Sequence, residues 1–322
     1  MTKKCIYCNN TNIKFVDNYK YEIPNDVSLL GKMEIFECSN CRFVFSYPMP
    51  DLIKLNHFYE KIYRSKNRHH YYSNFDKKYS YLFDINLEYI SYLTSNIDFN
   101  KITTLLDFGC GLGNIGYALK KKYKHLELYC IESDEHCAEI LKKREYKNFK
   151  NIEEINQKFD LVIGLHVFEH LTNLDIIKNL INLISKQGYI FFEVPNNNFY
   201  EGYKERVFDS PHLIFFNNQN IANIFEDNNL SKVSLINASY SIKHDIENQY
   251  YSFLTSNKGK GMNLFTKMKY IVKTIIKSIE PNFINSIRRK INIFAFFLSD
   301  NRLKWYFNNA VDSRCLRGIY KK

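Results

Sequence analysis

Leu105-Leu106-Asp107-Phe108-Gly109-Cys110-Gly111-Leu112-Gly113 reads as a strand that breaks into a glycine-rich turn ahead of a helix. Leu105 and Leu106 end a short apolar strand, and the three glycines allow a sharp turn whose backbone approaches a ligand where a Cβ would collide. Asn114 to Lys122 then continues as helix. Glu132 closes the next strand, Leu126 to Ile131, at about the offset where an acidic side chain accepts hydrogen bonds from ribose hydroxyls. This pairing points to a nucleoside-containing cofactor.

Two cofactors compete for the loop. Gly111, Gly113 and Gly116 satisfy G-x-G-x-x-G, the turn of a nicotinamide or flavin dinucleotide site. Asp107, two residues before the first glycine, extends this to D-x-G-x-G-x-G, which resembles motif I of class I S-adenosylmethionine-dependent methyltransferases. A dinucleotide turn holds a pyrophosphate on its helix N-terminus. S-adenosylmethionine has none and presents an ammonium, which an acidic residue beside the turn suits. The resemblance implies that Asp107, Gly109, Cys110, Gly111, Gly113 and Glu132 bind this cofactor.

A chain of 322 residues holds one large domain and one or two small ones, and an apolar fraction of 45% marks it as globular. Its longest apolar runs, such as Ile293 to Leu298, are too short to span a bilayer. The start, Met1-Thr2-Lys3-Lys4-Cys5, has no signal-peptide core, so a cytoplasmic protein without disulfides is expected. Cysteine spacing is then read as metal chemistry. Cys5-Ile6-Tyr7-Cys8 and Cys38-Ser39-Asn40-Cys41 are two C-x-x-C knuckles separated by a strand-rich stretch, the pattern of a zinc ribbon over residues 1–50. Four thiolates close a tetrahedron and leave no position for water, so the zinc is structural. Cys110, Cys130, Cys137 and Cys315 lack such spacing and read as packed thiols.

Residues 51–100 read as a Tyr- and His-rich connector in which Tyr59, Tyr63, His69, His70, Tyr71 and Tyr72 either line a substrate cleft or, the favoured reading, form an aromatic helix face packed on the next domain, with a helix expected from Phe75 to Ser95. From Ile102 strands and helices alternate, which implies a parallel sheet covered on both faces. Strands are expected at Thr103 to Phe108, Leu126 to Ile131, Phe149 to Ile152, Phe159 to Leu165, Tyr189 to Val194 and Lys232 to Asn237, and a helix near Gln219 to Asp227. Ligands of such sheets bind beyond the carboxyl ends of the strands. His166-Val167-Phe168-Glu169-His170-Leu171 follows the fourth strand, Glu193-Val194-Pro195-Asn196 ends the fifth, and Pro211-His212-Leu213-Ile214-Phe215-Phe216 precedes the next helix.

This order of E-H-L, E-V-P-N and P-H-L-x-x-F closely resembles a group of bacterial methyltransferases with an N-terminal zinc ribbon that modify sugars, including deoxysugar C-methyltransferases. The resemblance covers Cys5 to about Asn237 and implies a Rossmann-like α/β core, residues 101–240, with a seven-stranded sheet. It also implies that Asn151 and Ile152, at the end of strand three, contact the adenine and that His166 meets the methionine part of the cofactor. The sugar C-methyltransferases carry a His-Glu-His cluster after strand five and a larger C-terminal domain, whereas that stretch here offers only His212. Oxygen methylation of a sugar, nucleotide-sugar or surface-glycan precursor is therefore expected before carbon methylation. A hydroxyl acceptor must lose a proton, and His212, then His170 beside Glu169, are the candidate bases. Glu169 and His170 could instead ligate a divalent metal, although two ligands do not make a site.

The net charge of +11 is local. Residues 256–322 hold 15 basic and three acidic side chains, and the remainder holds 30 basic and 31 acidic. That distribution argues against a nucleic-acid-binding body, and strand four lacks the Asn/Asp-Pro-Pro-aromatic and Pro-Cys signatures of nucleic-acid methylation. Leu264 to Ile279 has helical apolar spacing with Lys267, Lys273 and Lys277 elsewhere, so a basic helical insertion, residues 241–312, is expected. Its apolar face would pack on the core or a second copy before it would lie peripherally on the inner face of a membrane. Arg314 to Tyr320, within residues 313–322, reads as the last strand of the sheet.

Overall fold

The computed structural model describes residues 3–19, 30–59, 84–197, 210–238 and 315–322. The connector beyond Tyr59, the first part of the helix expected from Phe75 and the basic insertion lie outside the described residues. Among the described residues, no helix is long and apolar enough to cross a membrane.

The N-terminal strands β1 (Ile13–Asn18), β2 (Glu34–Cys38) and β3 (Val44–Tyr47) form an antiparallel meander. Helix α1 (Leu52–His57) follows, its first turn capped by the Asp51 carboxylate, which accepts from the Ile53 and Lys54 amides. After α2 (Asp84–Asn96) the chain alternates through β4 (Thr104–Phe108), α3 (Asn114–Lys122), β5 (Glu127–Ile131), α4 (Glu135–Lys143), β6 (Tyr146–Phe149), β7 (Phe159–Leu165), α5 (Asp175–Leu183) and β8 (Ile184–Pro195). A short β9 (Ile214–Phe215), α6 (Asn218–Glu226), β10 (Ser231–Ala238) and β11 (Cys315–Lys321) complete it.

Seven strands pair in the order β10-β11-β8-β7-β4-β5-β6, with β11 antiparallel to both neighbours. The last strand, expected at Arg314 to Tyr320, is thus in place one residue later. Consecutive apolar residues serve opposite faces of the sheet, as a strand requires. Leu105, Leu161, Ile163, Phe191 and Ile319 pack against α2 and α3 residues such as Leu93, Ile115 and Leu119. Leu106, Val162, Phe192 and Tyr320 belong to the other layer, with Ile177, Ile181 and Phe225. Double-sided burial explains why these strands read as apolar runs without alternation.

Two strand expectations are corrected. The third parallel strand is Tyr146–Phe149, not Phe149 to Ile152, and Ile152–Glu154 is a 3-10 turn. This edge strand buries Tyr146 and exposes Lys147 and Asn148, so its one-sided polarity hid it beside the more apolar Phe149 and Ile152. The fifth begins at Ile184 instead of Tyr189, because α5 passes directly into a residue paired with Phe159.

The N-terminal meander does not close on itself. Its β3 pairs with β9, giving a four-stranded sheet in the order β1-β2-β3-β9 with Val44 opposite Phe215 and Phe45 opposite Ile214. Cys5, Cys38, Phe43 and Phe45 share a core with Phe216, Leu213 and the strands of the large sheet. In that layer Phe225 stacks between Phe192 and Tyr320, at ring-centroid distances of 4.8 and 4.9 Å. Phe225→Ala should lower the unfolding free energy by about 3–5 kcal/mol, measured by urea denaturation; a loss below ~1 kcal/mol would mean that this stack is not part of a packed core.

Candidate functional site

Strand β4 pairs with β5 on one side and with β7 on the other, so the chain reverses its winding direction at β4 and opens a crevice at the carboxyl ends of β4 and β7. The glycine-rich turn lies there. Gly109, Gly111 and Gly113 all have positive φ, and Gly113, the N-cap of α3, could not take a side chain, since a Cβ would sit 2.8 Å from Leu141 Cδ2. Gly111 differs: a Cβ there would point into open space, leaving a cradle beside the turn. Two side chains hold the turn from below. Arg144 Nη1 donates to Leu112 O and Asn114 Oδ1, both at 2.6 Å, and the Tyr146 hydroxyl donates to Gly113 O at 3.0 Å.

Glu132 stands at the rim of that cradle. Its Oε2 accepts from the Gly111 amide at 2.7 Å and its Oε1 from the Asp134 amide at 2.9 Å, which orients the carboxylate. Asn148 braces the same residue, accepting from the Glu132 amide at 3.1 Å. Asp107 is only 5% exposed, and burial together with the nearby Glu132 charge pushes its carboxyl from the ordinary 3.8 up to about 8. An ammonium beside it would reverse that shift. Asn151 and Ile152 lie two and three residues past the end of β6, where the Asn151 amide donates to Glu154 Oε1 at 3.0 Å, so they belong to a loop and not to a strand end.

Beyond β7 lies His166, in the left-handed region at φ 50, a conformation that non-glycine residues adopt at a cost. Its Nε2 meets Glu193 Oε1 at 3.0 Å and its Nδ1 lies 3.5 Å from Glu169 Oε1. Tyr89, from α2, donates to Glu193 Oε1 at 2.6 Å, and Arg317, from β11, donates through Nε to Glu193 Oε2 at 2.5 Å while Nη2 lies 3.7 Å from Glu88. Burial opposes the charge on Glu193, but the Arg317 guanidinium and then His166 hold its carboxyl at about 2. Burial also opposes protonation of His166, and Glu169 and Glu193 overcome it, raising the imidazole to about 10. The E-V-P-N glutamate thus anchors a buried charge network between β7, β8, β11 and α2.

Glu169 and His170 sit on a 3-10 turn, Phe168–His170, and meet His212 across the groove. The His170 and His212 rings are 5.0 Å apart edge to face, and Tyr59 at the end of the α1 segment packs on His170 at 5.9 Å. A carboxylate oxygen of Glu169 and one nitrogen of each histidine lie within 4.8 Å of one another. His170 Nδ1 is 2.9 Å from Pro211 O, and a carbonyl only accepts, so Nδ1 carries the proton and a neutral ring offers its Nε2 lone pair. His212 owes its place largely to the N-terminal meander: the Tyr19 hydroxyl donates to His212 O at 3.0 Å, the Ser46 amide to Leu213 O at 2.9 Å, and the Tyr7 hydroxyl to Asp227 after α6. From the core side, the Leu213 amide donates to Glu169 O at 2.6 Å.

The four knuckle cysteines form a separate centre. Cys5 and Cys41 sulfurs are 3.5 Å apart, and Cys8 and Cys38 sulfurs 3.6 Å. A tetrahedron with metal–sulfur bonds of ~2.3 Å has edges of ~3.8 Å, so the set fits one tetrahedral ion. Burial pushes the Cys5 thiol up to about 11, while at Cys8 the Asn10 amide and the Asn40 side chain outweigh burial and hold it at about 7. Binding a cation here would release protons.

The candidate cofactor, catalytic and metal-binding residues read from the sequence all lie among the described residues, in the glycine turn with Asp107 and Glu132, the His166 to His170 turn with His212, the four cysteines, and Asn151 and Ile152 past β6. Arg144, Tyr146, Tyr89 and Arg317 carry the site without having been singled out. Tyr146 had a signal, since a tyrosine opening an edge strand faces the turn whose glycines admit it; Arg317 had none, being one more cation in a basic segment.

A family model for a methyltransferase domain matches residues 67–235. Among solved structures, the plantazolicin methyltransferase BpumL, in complex with a triazolic desmethylPZN analog and SAH, is 14% identical over 83% of this chain and 94% of its own, with a TM-score of 0.47. Coclaurine N-methyltransferase, bound to N-methylheliamine and SAH, is 17% identical over 74% of this chain and 72% of its own, TM-score 0.42. The O-methyltransferase from a trans-AT PKS multienzyme of Brevibacillus brevis, in complex with S-adenosyl-L-homocysteine, is 14% identical over 73% and 70%, TM-score 0.40. No curated protein matches the chain.

Arg317→Leu should cost about 3–5 kcal/mol, because it leaves the Glu193 carboxylate buried without its main partner. Urea denaturation measures this; a change below ~1 kcal/mol would contradict the network. The contribution of Glu193 should be present above its ordinary 4.5 and be lost as pH falls toward 2.

Proposed function

The chain belongs to the methyltransferase-domain family whose model spans residues 67–235, and on that premise we propose that it moves a methyl group from S-adenosylmethionine to a hydroxyl of a sugar, nucleotide-sugar or surface-glycan precursor. Methyl transfer follows from the family. The hydroxyl acceptor is supported by one observation, the contact between the two loops: a Cβ on Gly109 would sit 2.8 Å from Val167 Cγ2, so the cofactor turn abuts the loop that carries Glu169 and His170. The sugar rests on the E-H-L, E-V-P-N and P-H-L-x-x-F resemblance and on the four-cysteine meander that accompanies it.

S-adenosylmethionine supplies an electrophilic methyl carbon on a sulfonium. Glu132, held by the Gly111 and Asp134 amides, would accept from the ribose hydroxyls. The open space at Gly111 would admit the aminoacyl end, and Asp107 would pair with the ammonium. On the acceptor side, the lone pair of His170, held on Pro211 O through the other nitrogen, faces the hydroxyl with His212 and Glu169. A lone pair there takes the proton or binds a cation, and either leaves the oxygen more nucleophilic. Cys5, Cys8, Cys38 and Cys41 would hold a structural zinc, and the pairing of β3 with β9 ties that meander to the segment that carries His212.

Asp107 gives the cofactor reading a sign. In the free protein its carboxyl titrates at about 8 and is mostly protonated at pH 7, whereas an ammonium partner ionises it. Binding S-adenosylmethionine at pH 7 should therefore release up to about one proton, seen as a dependence of calorimetric heat on the buffer's ionisation enthalpy. The release should fade above about pH 9 and vanish in Asp107→Asn; unchanged release in that variant would remove Asp107 from the site. With a panel of nucleotide-sugars and glycan intermediates and methyl-labelled cofactor, the label should appear as a methoxy group. His170→Ala should lower kcat by about 100-fold or more with cofactor affinity intact, and label found only on carbon or nitrogen would refute the hydroxyl acceptor.

A further inference from the structure

We propose that Glu169, His170 and His212 form a mononuclear site for a divalent first-row transition metal, open toward the acceptor. The sequence supplies two adjacent ligands, Glu169 and His170, and the fold supplies the third from 42 residues beyond His170. Three features argue for a cation. First, the Glu169 side chain is 2% exposed, and its Oε2 is buried without a hydrogen-bond partner. An ionised carboxylate oxygen in that condition is costly unless a cation or donor reaches it.

Second, His170 is oriented as a metal-ligating histidine is. Its Nδ1–H is held by a backbone carbonyl, Pro211 O, at 2.9 Å, and this contact fixes both the tautomer and the ring plane. Third, the spacing suits ligation better than direct contact. His170 Nε2 lies 3.9 Å from Glu169 Oε1, too far for a hydrogen bond. Two ligand atoms each ~2.1 Å from one ion are separated by about 3.0 Å at a right angle and about 4.2 Å when opposite, so 3.9 Å falls in that span. The three ligand atoms, one from each residue, all lie within 4.8 Å of one another.

Two imidazoles and one carboxylate suit zinc, manganese, iron or cobalt better than magnesium or calcium. Three protein ligands leave positions open, in contrast with the closed four-thiolate centre. Adjacent oxygens of the acceptor would fill them, and a hydroxyl bound to the ion is acidified; this use of the site rests on the function proposed above, whereas occupancy by the metal does not.

Cobalt(II) tests the site in the full chain preloaded with one equivalent of zinc. The wild type should take up one further equivalent with weak visible absorption and no thiolate-to-cobalt charge-transfer band. That uptake should be lost in His212→Ala and in Glu169→Gln, with binding of S-adenosylhomocysteine retained as the check that each variant is folded. Uptake showing only the thiolate band, or no uptake, in a wild type that methylates its acceptor would overturn the metal site and leave the methyl transfer standing. Cobalt bound at the three residues without methylation of any hydroxyl acceptor would uphold the site and count against the proposed function.

Discussion

Two loops that leave adjacent parallel strands at the same edge cannot separate, and the site follows from that constraint. The loops after β4 and β7 emerge side by side because Phe108 is paired with Gly164. Any side chain at Gly109 would strike Val167, so the cofactor turn and the Glu169-His170 turn are fitted to each other at the backbone. A methyl donor on one and an acceptor on the other would meet at the boundary. Direct displacement from a sulfonium needs that alignment and the exclusion of water more than it needs covalent chemistry from the protein.

Burial then dictates where charge can go. Glu193 and Arg317 are essentially inaccessible and pair with each other, with Tyr89, His166 and Glu88 close by. Such a set is a poor source of net stability compared with apolar packing. It does fix the position of His166 and locks the last strand against the crevice, which is the role that its location supports. Glu169, one turn away, is different, because one of its oxygens is left for something else.

What could be read in advance was what is local. The glycine turn, Asp107, Glu132 and the cysteine knuckles announce themselves by spacing along the chain. The alternation of strands and helices was equally plain, apart from the edge strand at Tyr146, whose exposed Lys147 and Asn148 resemble a loop. Arg317 was counted among the cations of residues 256–322 and placed in the last strand; that it is 1% exposed and paired with a residue 124 positions earlier could not be read from either. The meeting of Glu169 and His170 with His212, and the addition of β9 to the N-terminal meander, depend on chain segments far apart in sequence. No periodicity records such pairings.

The central claim is the proposal that the turn at Gly111 takes S-adenosylmethionine and not a dinucleotide. Calorimetric titration with S-adenosylhomocysteine and, separately, with NADH tests it most directly. The structure predicts one S-adenosylhomocysteine per chain, lost in Gly111→Val because a branched side chain would fill the cradle, and no binding of NADH. Binding of NADH in place of S-adenosylhomocysteine, or full affinity for S-adenosylhomocysteine in Gly111→Val, would contradict it.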